Sequence, residues 1–488
     1  MRRWMIVLIC IVLLAAAAVG LFLMPKQTEK TVADQLSPDE PQILTIWHYY
    51  NGAQQQTFDR LVLEFNETVG VETGIIIEAK SKGSVNDLTD ALIASAQGAF
   101  GADPMPDMFA AYADTAYEVN KLVPLADLAP YFTQEELSGY IADYLEEGHL
   151  SGDDALMVFP IAKSTEILML NRTEWYLFSS ATGADADKLS TWEGVTELAG
   201  QYYEWTDSLT PDVPDDGRAF FGRDAFANYM IVGSRQLGVE IFEVHDGQLT
   251  LNVDAAVMRR LWDNYMVPYV SGHFAAYGTF RSDDVKTGRL AAIVCSTSGA
   301  MYFPTAVTRA DGTTYTIAGE CLPLPCFEGT EPYAAQQGAG MAVVADTQVR
   351  EYAATVFLKW FTGEANNLSF AVGSAYLPVK KSANSVARLD QELVWQGVSP
   401  LLRDSLITSA EMTTTYTLYT SDAFDSSYAA RRVVDTHMQN AATAAVAQRD
   451  RLVAQGMSRA EAVDMLTNDE AFSRWYEEFK DALSRSVD

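Results

Sequence analysis

Strand and helix patterns alternate along the first part of the chain, and this alternation limits the folds open to it. Residues 43–47 have the pattern of a short strand, and apolar residues at helical spacing follow it. Residues 74–79 and 106–112 are further strand patterns, with a helical pattern at Val85–Ala96 between them. Strands that alternate with helices form parallel βαβ units, in which ligands bind beyond the carboxyl ends of the strands. The sequence therefore predicts an α/β fold with a polar site at one sheet edge.

A second informative segment, residues 159–171, places a small polar cluster between two apolar runs. The cluster is Lys163, Ser164 and Thr165. The pattern predicts a strand, a polar crossing and another strand. Polar groups held between two rigid strands suit ligand capture better than core packing. An ordinary strand with a polar middle has the same pattern, so these residues alone leave both interpretations open.

Length and charge exclude several classes of function. The chain has 488 residues, which indicates two or three domains of about 150 residues each. The formal net charge is −31, from 65 acidic and 34 basic residues. Nucleic acids and anionic lipid surfaces attract clustered Lys and Arg, so this balance argues against both partners. The acidic excess itself is explained by solubility.

The N-terminus has the pattern of a targeting segment. Arg2 and Arg3 precede an uncharged run of 21 residues, 4–24. A signal peptide has an apolar stretch of about 7–15 residues, whereas a membrane-spanning helix needs about 20. We therefore predict an uncleaved anchor that leaves the body of the protein extracytoplasmic, or a secreted protein if the segment is cleaved. Cys10 follows Ile9, where a lipoprotein signal has a small residue, so lipidation there is not expected.

Three cysteines lie beyond the N-terminal run, at Cys295, Cys321 and Cys326, and their odd number leaves at least one thiol unpaired. Whether Cys295 forms a disulfide with either of the others stays open, with buried thiols as the favoured interpretation. The five histidines are scattered. The sequence therefore gives no metal site, no catalytic residues and no cofactor.

Four regions together resemble a known family: the strand and helix from Ile43, the crossing at Lys163, the strand at residues 338–340 with the helix after it, and residues 376–379. Residues 418–424 also look like a stretch seen in that family. In order and spacing they resemble the sugar-type solute-binding proteins of ABC importers, the family that includes maltose-binding protein. The resemblance implies a two-lobed, periplasmic-binding-protein-like α/β fold of type II, whose lobes are joined by a multi-strand hinge.

The N-terminal pattern and the resemblance together predict a division of the chain. The uncharged run predicts a signal anchor at residues 1–24, where the chain departs from most relatives, and the polar composition of residues 25–41 predicts a flexible linker. The resemblance implies a first lobe of residues 42–160 and 328–374 and a second lobe of residues 161–327 and 375–488.

Candidate ligand-binding residues lie at predicted strand ends and crossings. Sugars have apolar faces and polar rims, so their sites combine aromatic rings with hydrogen-bonding groups. The candidates are Trp47, Tyr49, Tyr50, Tyr112, Asp114, Lys163, Ser164, Thr165, Ser296, Ser298, Gly338 and Tyr376. Lys163 suits an anionic group or a brace of the hinge. Gly338 suits a close backbone approach to ligand or simple packing.

The expected function is capture of a sugar, polyol or sugar phosphate and its delivery to ABC permease subunits by a membrane-tethered monomer. Two alternatives remain. One is an anchored sensor with the same fold and site. The other, a carbohydrate-active enzyme, needs two carboxyl groups about 5–10 Å apart across the substrate. No recognisable spacing of acids, nucleophile motif or metal motif supports it, so we do not expect an enzyme.

Overall fold

The computed structural model describes residue 4 and residues 31–150, 154–245 and 248–487. Its strands form two main sheets, one of five strands and one of four, and each sheet is covered by helices. Three small two-stranded ribbons complete the strands that the structure describes. The predicted two-lobed α/β fold is confirmed.

The strands are numbered here in chain order. They are β1 Gln42–His48, β2 Ile75–Ser81, β3 Met108–Ala111, β4 Val158–Phe159, β5 Glu166–Asn171, β6 Phe221–Arg223, β7 Phe242–His245, β8 Gln248–Leu251, β9 Ala292–Ser296, β10 Ala306–Thr308, β11 Thr314–Thr316, β12 Gly319–Leu322, β13 Tyr333–Ala335, β14 Gly340–Val343 and β15 Thr417–Tyr419.

The first lobe is built on the sheet β2-β1-β3-β14-β4. β1 pairs in parallel with β2 along its whole length and with β3 on its other side, as the alternating pattern predicts. β14 runs antiparallel to β3 and β4. The helix Gly52–Phe65 follows β1 and buries Phe58, Leu61, Val62 and Phe65, the four residues at helical spacing. The carboxyl ends of β1 and β3 therefore share one edge of the sheet.

The second lobe is built on the sheet β12-β5-β9-β6. β5 runs antiparallel to both of its neighbours, and β6 is parallel to β9. All six residues of β5 are buried, which explains the continuous apolar run after the polar cluster. Thr191 accepts a hydrogen bond from the Gly194 N–H at 3.1 Å and caps the helix Trp192–Asp207.

Helices surround both sheets. Those of at least five residues are Gly52–Phe65, Val85–Ala96, Ala113–Asn120, Gln134–Ser138, Ala142–Glu146, Arg172–Thr182, Trp192–Asp207, Phe226–Gln236, Ala255–Asp263, Met266–Ser271, Arg281–Lys286, Gln348–Phe361, Glu364–Ser374, Val386–Gln396, Pro400–Thr415, Ser427–Ala454, Arg459–Thr467 and Asp469–Val487. A π-helical turn, Asn66–Gly70, and the short Val71–Thr73 extend the first of them. Short 3-10 helices lie at Ala33–Gln35, Ala129–Tyr131, Ala186–Ser190 and Thr297–Met301.

The chain passes between the lobes several times. It leaves the first sheet after β4 and enters the second at β5. It returns between β12 and β14, and it passes again between the helices Glu364–Ser374 and Pro400–Thr415, which pack on the first and second lobes respectively. The crossing segments bond to each other: Ser164 exchanges two backbone hydrogen bonds of 2.8 Å with Gln337, and the Lys163 N–H donates to the Leu377 carbonyl at 3.0 Å. Several bonded crossings form a stiff hinge.

The predicted anchor, apart from Trp4, lies outside the described residues. Within the described residues, no helix has the length and apolar character needed to cross a membrane. Part of the predicted linker is ordered, because Leu36 packs against the first-lobe core. Gly74, with φ of +73°, allows this contact, since a Cβ there would lie 2.1 Å from the Ser37 carbonyl oxygen. The folded part of the chain therefore begins before Gln42.

The three cysteines in the described part of the chain are free thiols. Cys295 and Cys321 are buried, and Cys326 is half-buried. The Cys295 sulfur lies 3.4 Å from the Met169 sulfur inside the second lobe. Burial raises the pKa of all three thiols. They are therefore unreactive packing groups, the favoured sequence interpretation.

Candidate functional site

A cavity of about 300 Å³ lies between the two lobes. Both lobes and the crossing segments supply its walls. Its volume is at the small end of the roughly 300–1,000 Å³ typical of ligand sites. The lining residues are Val85, Asn86, Thr89, Tyr112, Ala113, Asp114, Thr115, Glu147, Asn228, Ile231, Val232, Phe242, Ala335, Gln336, Gln337, Tyr419, Thr420, Ser421, Asp422, Phe424, Ser427, Tyr428 and Arg431.

The first-lobe wall is formed where helices follow parallel strands. Tyr112 comes directly after β3, and Asp114 lies in the first turn of the helix Ala113–Asn120. The Asp114 carboxylate accepts a hydrogen bond of 2.7 Å from the Thr115 N–H. Burial raises the pKa of Tyr112 far above its usual value, so this phenol stays protonated. The wall thus has a neutral aromatic hydroxyl beside a carboxylate.

The second-lobe wall comes from two helices and the segment after β15. The helix Phe226–Gln236 contributes Asn228, and the helix Ser427–Ala454, hereafter the long helix, contributes Arg431. The Asn228 side-chain oxygen accepts a hydrogen bond of 2.7 Å from the Arg431 guanidinium, which fixes the direction of the guanidinium. Phe424 is 4% exposed and packs on Phe242, 5.2 Å between ring centroids, so two rings form an apolar part of this wall.

The inner end of the cavity is closed by a buried ion pair, hereafter the inner pair, between Glu147 and Lys163. Their side chains are 4% and 2% exposed. Lys163 also donates to the Gly338 carbonyl at 2.7 Å, and Gln336 donates to the Glu147 carboxylate. The pair therefore bonds two crossing segments to the first lobe. Of the two roles that the sequence left open for Lys163, bracing the hinge fits these contacts.

Two of the twelve predicted site residues, Tyr112 and Asp114, line the cavity. Trp47 and Tyr50 lie in the first-lobe core instead, 4% and 1% exposed. The Lys82 ammonium covers the Trp47 ring at 3.4 Å from its centroid. The Tyr50 ring packs among other rings, including Phe370 at 5.3 Å. The strand end is correctly located, but these side chains pack inward because large rings stabilise the core by burial.

Tyr49, Tyr376 and Gly338 meet behind the cavity. The hydroxyls of Tyr49 and Tyr376 lie 3.4 Å apart, and the Tyr49 hydroxyl accepts from the Ala339 N–H at 3.3 Å. Gly338 has φ of +87°, and a Cβ on it would lie 2.8 Å from the Ala162 carbonyl oxygen. Backbone packing at this crossing therefore requires glycine. Of the two sequence interpretations of Gly338, the packing role fits this geometry.

The predicted serines and threonine lie in two places. Thr165 donates to the Ala335 carbonyl at 2.8 Å and is buried. Ser164 joins Gln337 through its backbone, so these two residues connect strands of the hinge. Ser296 and Ser298 lie at the end of β9, where their hydroxyls bond to each other at 2.8 Å, and neither lines the cavity.

Most residues of the second-lobe wall have no counterpart among the site residues predicted from the sequence. Residues 418–424 resemble a family stretch and contribute five lining residues, so a signal for this part was present. Arg431 and Asn228 lie inside ordinary helical patterns, and nothing in their spacing distinguishes them. Glu147 is one of 65 acidic residues and carries no motif. Only the tertiary arrangement brings these three to one cavity.

Comparison with known families gives one clear match. The sequence model of a family described as bacterial extracellular solute-binding protein matches residues 60–393, about two thirds of the chain. No curated protein sequence matches significantly.

Solved structures share the fold at low sequence identity. A cyclic α-maltosyl-1,6-maltose binding protein from Arthrobacter globiformis superposes with a TM-score of 0.65 at 16% identity, covering 92% of this chain and 99% of the other. UgpB from Mycobacterium tuberculosis, in complex with glycerophosphocholine, gives 0.64 at 17% identity, with 92% and 100% covered. A maltotriose binding protein from Thermus thermophilus gives 0.58 at 15% identity, with 91% and 100% covered. These similarities establish the architecture of the whole folded part.

Proposed function

The chain belongs to the family of bacterial extracellular solute-binding proteins, and on that premise we propose that it captures a sugar or related polyol in the interlobe cavity. The captured solute would be delivered to the permease subunits of an ABC importer. The family is extracellular, so the folded part of this chain is extracytoplasmic. We further propose that residues 1–24 tether a monomer to the membrane, because the uncharged run there is long enough to span it.

The composition of the cavity walls is the observation that carries the proposal. Apolar ring surface comes from Phe242, Phe424 and Tyr112. Hydrogen-bonding groups come from both lobes, with Asp114 on one and Asn228 on the other. A solute with C–H faces and hydroxyl groups matches this mixture, because rings cover its faces while carboxylates and amides bond its hydroxyls. The solute would contact both lobes at once.

The solved neighbours support a polyhydroxylated ligand. The Arthrobacter protein is a cyclic α-maltosyl-1,6-maltose binding protein, the Thermus protein is bound with maltotriose, and the Mycobacterium protein is in complex with glycerophosphocholine. At 15–17% identity these proteins establish the fold only, so the ligand class of this chain rests on its own cavity.

A ligand panel tests the proposal directly. The purified full-length chain in detergent is melted with glucose, maltose, maltotriose, glycerol and myo-inositol, and with phosphorylated counterparts of glucose and glycerol. A solute present at 100 times its dissociation constant adds about 2.7 kcal/mol to the free energy of unfolding. We expect at least one member to raise the melting temperature and to be recovered chemically unchanged. A panel without a binder, or a recovered product, would contradict the proposal.

Replacement of Tyr112 by alanine tests the location of the site. Tyr112→Ala removes a ring that faces the cavity, and truncation of a buried anchor typically costs about 2 kcal/mol or more. We expect the panel ligand to bind at least tenfold more weakly, measured by calorimetry. Tyr176→Ala is the matched control, because Tyr176 is 69% exposed on the second lobe and does not line the cavity. Equal affinities for both variants would place the site elsewhere.

A further inference from the structure

The start of the long helix has features that favour one chemical group in the ligand. Ser427, Tyr428 and Arg431 all lie in its first two turns and all line the cavity. Ser427 and Arg431 are four residues apart, so their side chains lie on the same helix face. The first turn of a 28-residue helix therefore borders the ligand space directly.

The first turn of this helix lacks the side-chain partners that often satisfy a helix start. Among the residues that the structure describes, no side chain caps the turn, and the turn contains no acidic residue. The Ser427 N–H donates to the Phe424 carbonyl at 3.0 Å, which leaves the N–H groups after it. The residue before it, Ser426, has φ of +67°, in the left-handed region. The free N–H groups and the helix dipole give such an end a partial positive charge that attracts anions. The helix Val85–Ala96, which also borders the cavity, differs because Ser84 and Asp87 cap it.

Ser427 supplies an independent observation. It is 7% exposed, it lines the cavity, and its hydroxyl has no hydrogen-bond partner among the residues that the structure describes. A buried polar group without a partner is destabilising. A ligand oxygen in the cavity would remove that destabilisation by accepting from this hydroxyl.

Arg431 supplies a positive charge at the same place. In the described part of the chain its guanidinium bonds to the Asn228 amide oxygen and forms no ion pair with a carboxylate. The neighbouring buried carboxylate, Glu166, is already bonded to Arg223 at 3.0 Å. Arg431 is thus the one basic residue in the cavity lining, and no carboxylate is bonded to its guanidinium among the described residues. A guanidinium offers paired N–H groups that match carboxylate and phosphate oxygens.

We propose that the ligand carries an oxyanion, a phosphoryl or carboxyl group, bound by Arg431, Ser427 and the first turn of the long helix. This inference rests on the proposed function and specifies the ligand of the same cavity. Asp114 and Asp422 also line the cavity, and they are acceptors for hydroxyl groups rather than for a second anion. The preferred ligand is therefore a sugar or polyol with one oxyanion.

Matched ligand pairs test the inference by calorimetry on the full-length chain. Glucose is compared with glucose 6-phosphate and glucuronate, and glycerol with sn-glycerol 3-phosphate. We expect at least one charged member to bind tenfold or more tightly than its neutral parent, with a preference that falls as salt rises. The phosphate and carboxylate members of the glucose set distinguish the two oxyanions.

Charge-removing variants locate the oxyanion. Arg431→Gln should reduce the affinity for the charged member relative to its neutral parent tenfold or more. Ser427→Ala should reduce it several-fold. Arg432→Gln is the matched control, since Arg432 is exposed on the same helix, does not line the cavity and carries the same charge. We expect this control to bind both members like the parent protein.

The outcomes separate the two proposals. Neutral sugars that bind as tightly as their charged counterparts would overturn the oxyanion inference and leave the proposed function standing. An unchanged preference in Arg431→Gln, or an equal loss in Arg432→Gln, would also overturn it. Failure to bind any neutral or charged member would overturn the proposed function, and this inference with it.

Discussion

The inner pair, Glu147–Lys163, and a second ion pair, Lys121–Asp425, both join separate parts of the two-lobed structure, but their surroundings are opposite. The second pair, hereafter the outer pair, links the end of the helix Ala113–Asn120 to the segment before the long helix at 2.7 Å. Its side chains are 42% and 76% exposed, against 2% and 4% for Lys163 and Glu147. One pair is removed from water and the other is surrounded by it.

This difference in exposure determines how much each ion pair contributes to stability. A buried pair has lost its hydration, so removal of one partner leaves an uncompensated charge and is strongly destabilising. An exposed pair gains little, because water and salt screen it. The inner pair therefore holds the crossing segments permanently in place. The outer pair can break and re-form at small cost, which suits a contact across a cavity that must admit and release a solute.

Replacement of Lys163 gives the largest expected effect. Lys163→Met keeps the length of the side chain but leaves the Glu147 carboxylate buried without its counter-charge. We expect the free energy of unfolding to fall by about 3–5 kcal/mol, measured by urea denaturation followed by circular dichroism.

A double variant controls for the loss of packing. In Lys163→Met with Glu147→Gln, the uncompensated charge is gone and Gln336 can still donate to the new amide oxygen. At least half of the lost stability should return. A loss below about 1 kcal/mol in the single variant would show that the inner pair does not hold the hinge.

The pH dependence of unfolding gives a second comparison between a buried and an exposed titratable group. Burial lowers the pKa of His48, at the end of β1, to about 4, whereas an unfolded histidine has a pKa near 6.5. The unfolded chain therefore binds the proton first as the pH falls. The contribution of His48 to the free energy of unfolding is fully present above about pH 6.5. About 3 kcal/mol of it is lost as the pH falls toward 4. The pKa of Asp425 is lowered by its hydrogen bonds to Lys121 and Tyr117, so the outer pair loses its charge at a lower pH than an ordinary aspartate would.

His48→Asn tests the assignment by denaturation at several pH values. The asparagine oxygen can replace the ring nitrogen that accepts the Tyr50 N–H, and it does not titrate in this range. We expect a lower absolute stability but a shallower decline between pH 6.5 and 4. His273, whose pKa burial also lowers to about 4, retains its own share of the decline. An unchanged slope would mean that His48 is not the responsible group.

The smallest expected change in stability comes from the outer pair. Lys121→Ala should lower the free energy of unfolding by less than about 1 kcal/mol. Ligand release, followed by stopped-flow fluorescence with a solute from the panel, should become a few-fold faster, because one contact between the lobes is lost.

A double-mutant cycle with Asp425→Asn measures the pair itself. The interaction energy should be about 0.5 kcal/mol or less and should disappear at high salt. A coupling above about 2 kcal/mol would remove the contrast with the inner pair.

Much of the first lobe could be predicted from the sequence because its signals are local. The helix Val85–Ala96 has the predicted bounds, and its cap, Ser84, lies directly before it. Residues 43–47 lie within β1.

The site was less predictable because it depends on side-chain direction and on distant contacts. Tyr49 and Tyr50 lie at the predicted strand end, but burial of their rings turned them away from the cavity lining. Glu147 and Gln336 meet across 189 residues of chain. Arg431 has no sequence signal at all. Strand ends can be located by pattern, whereas the choice among neighbouring side chains is made by packing.

The long helix has a consequence for anyone who shortens or tags this protein. At 1.5 Å per residue its 28 residues extend about 42 Å from the cavity. The last helix of the chain, Asp469–Val487, packs along it, with the Trp475 and Phe479 rings 6.2 and 5.5 Å from the His437 ring. A truncation after residue 455 would remove no residue that lines the cavity, yet it would strip away this support. The helix Asp469–Val487 therefore supports the ligand site indirectly, because it packs on the helix that carries Ser427 and Arg431.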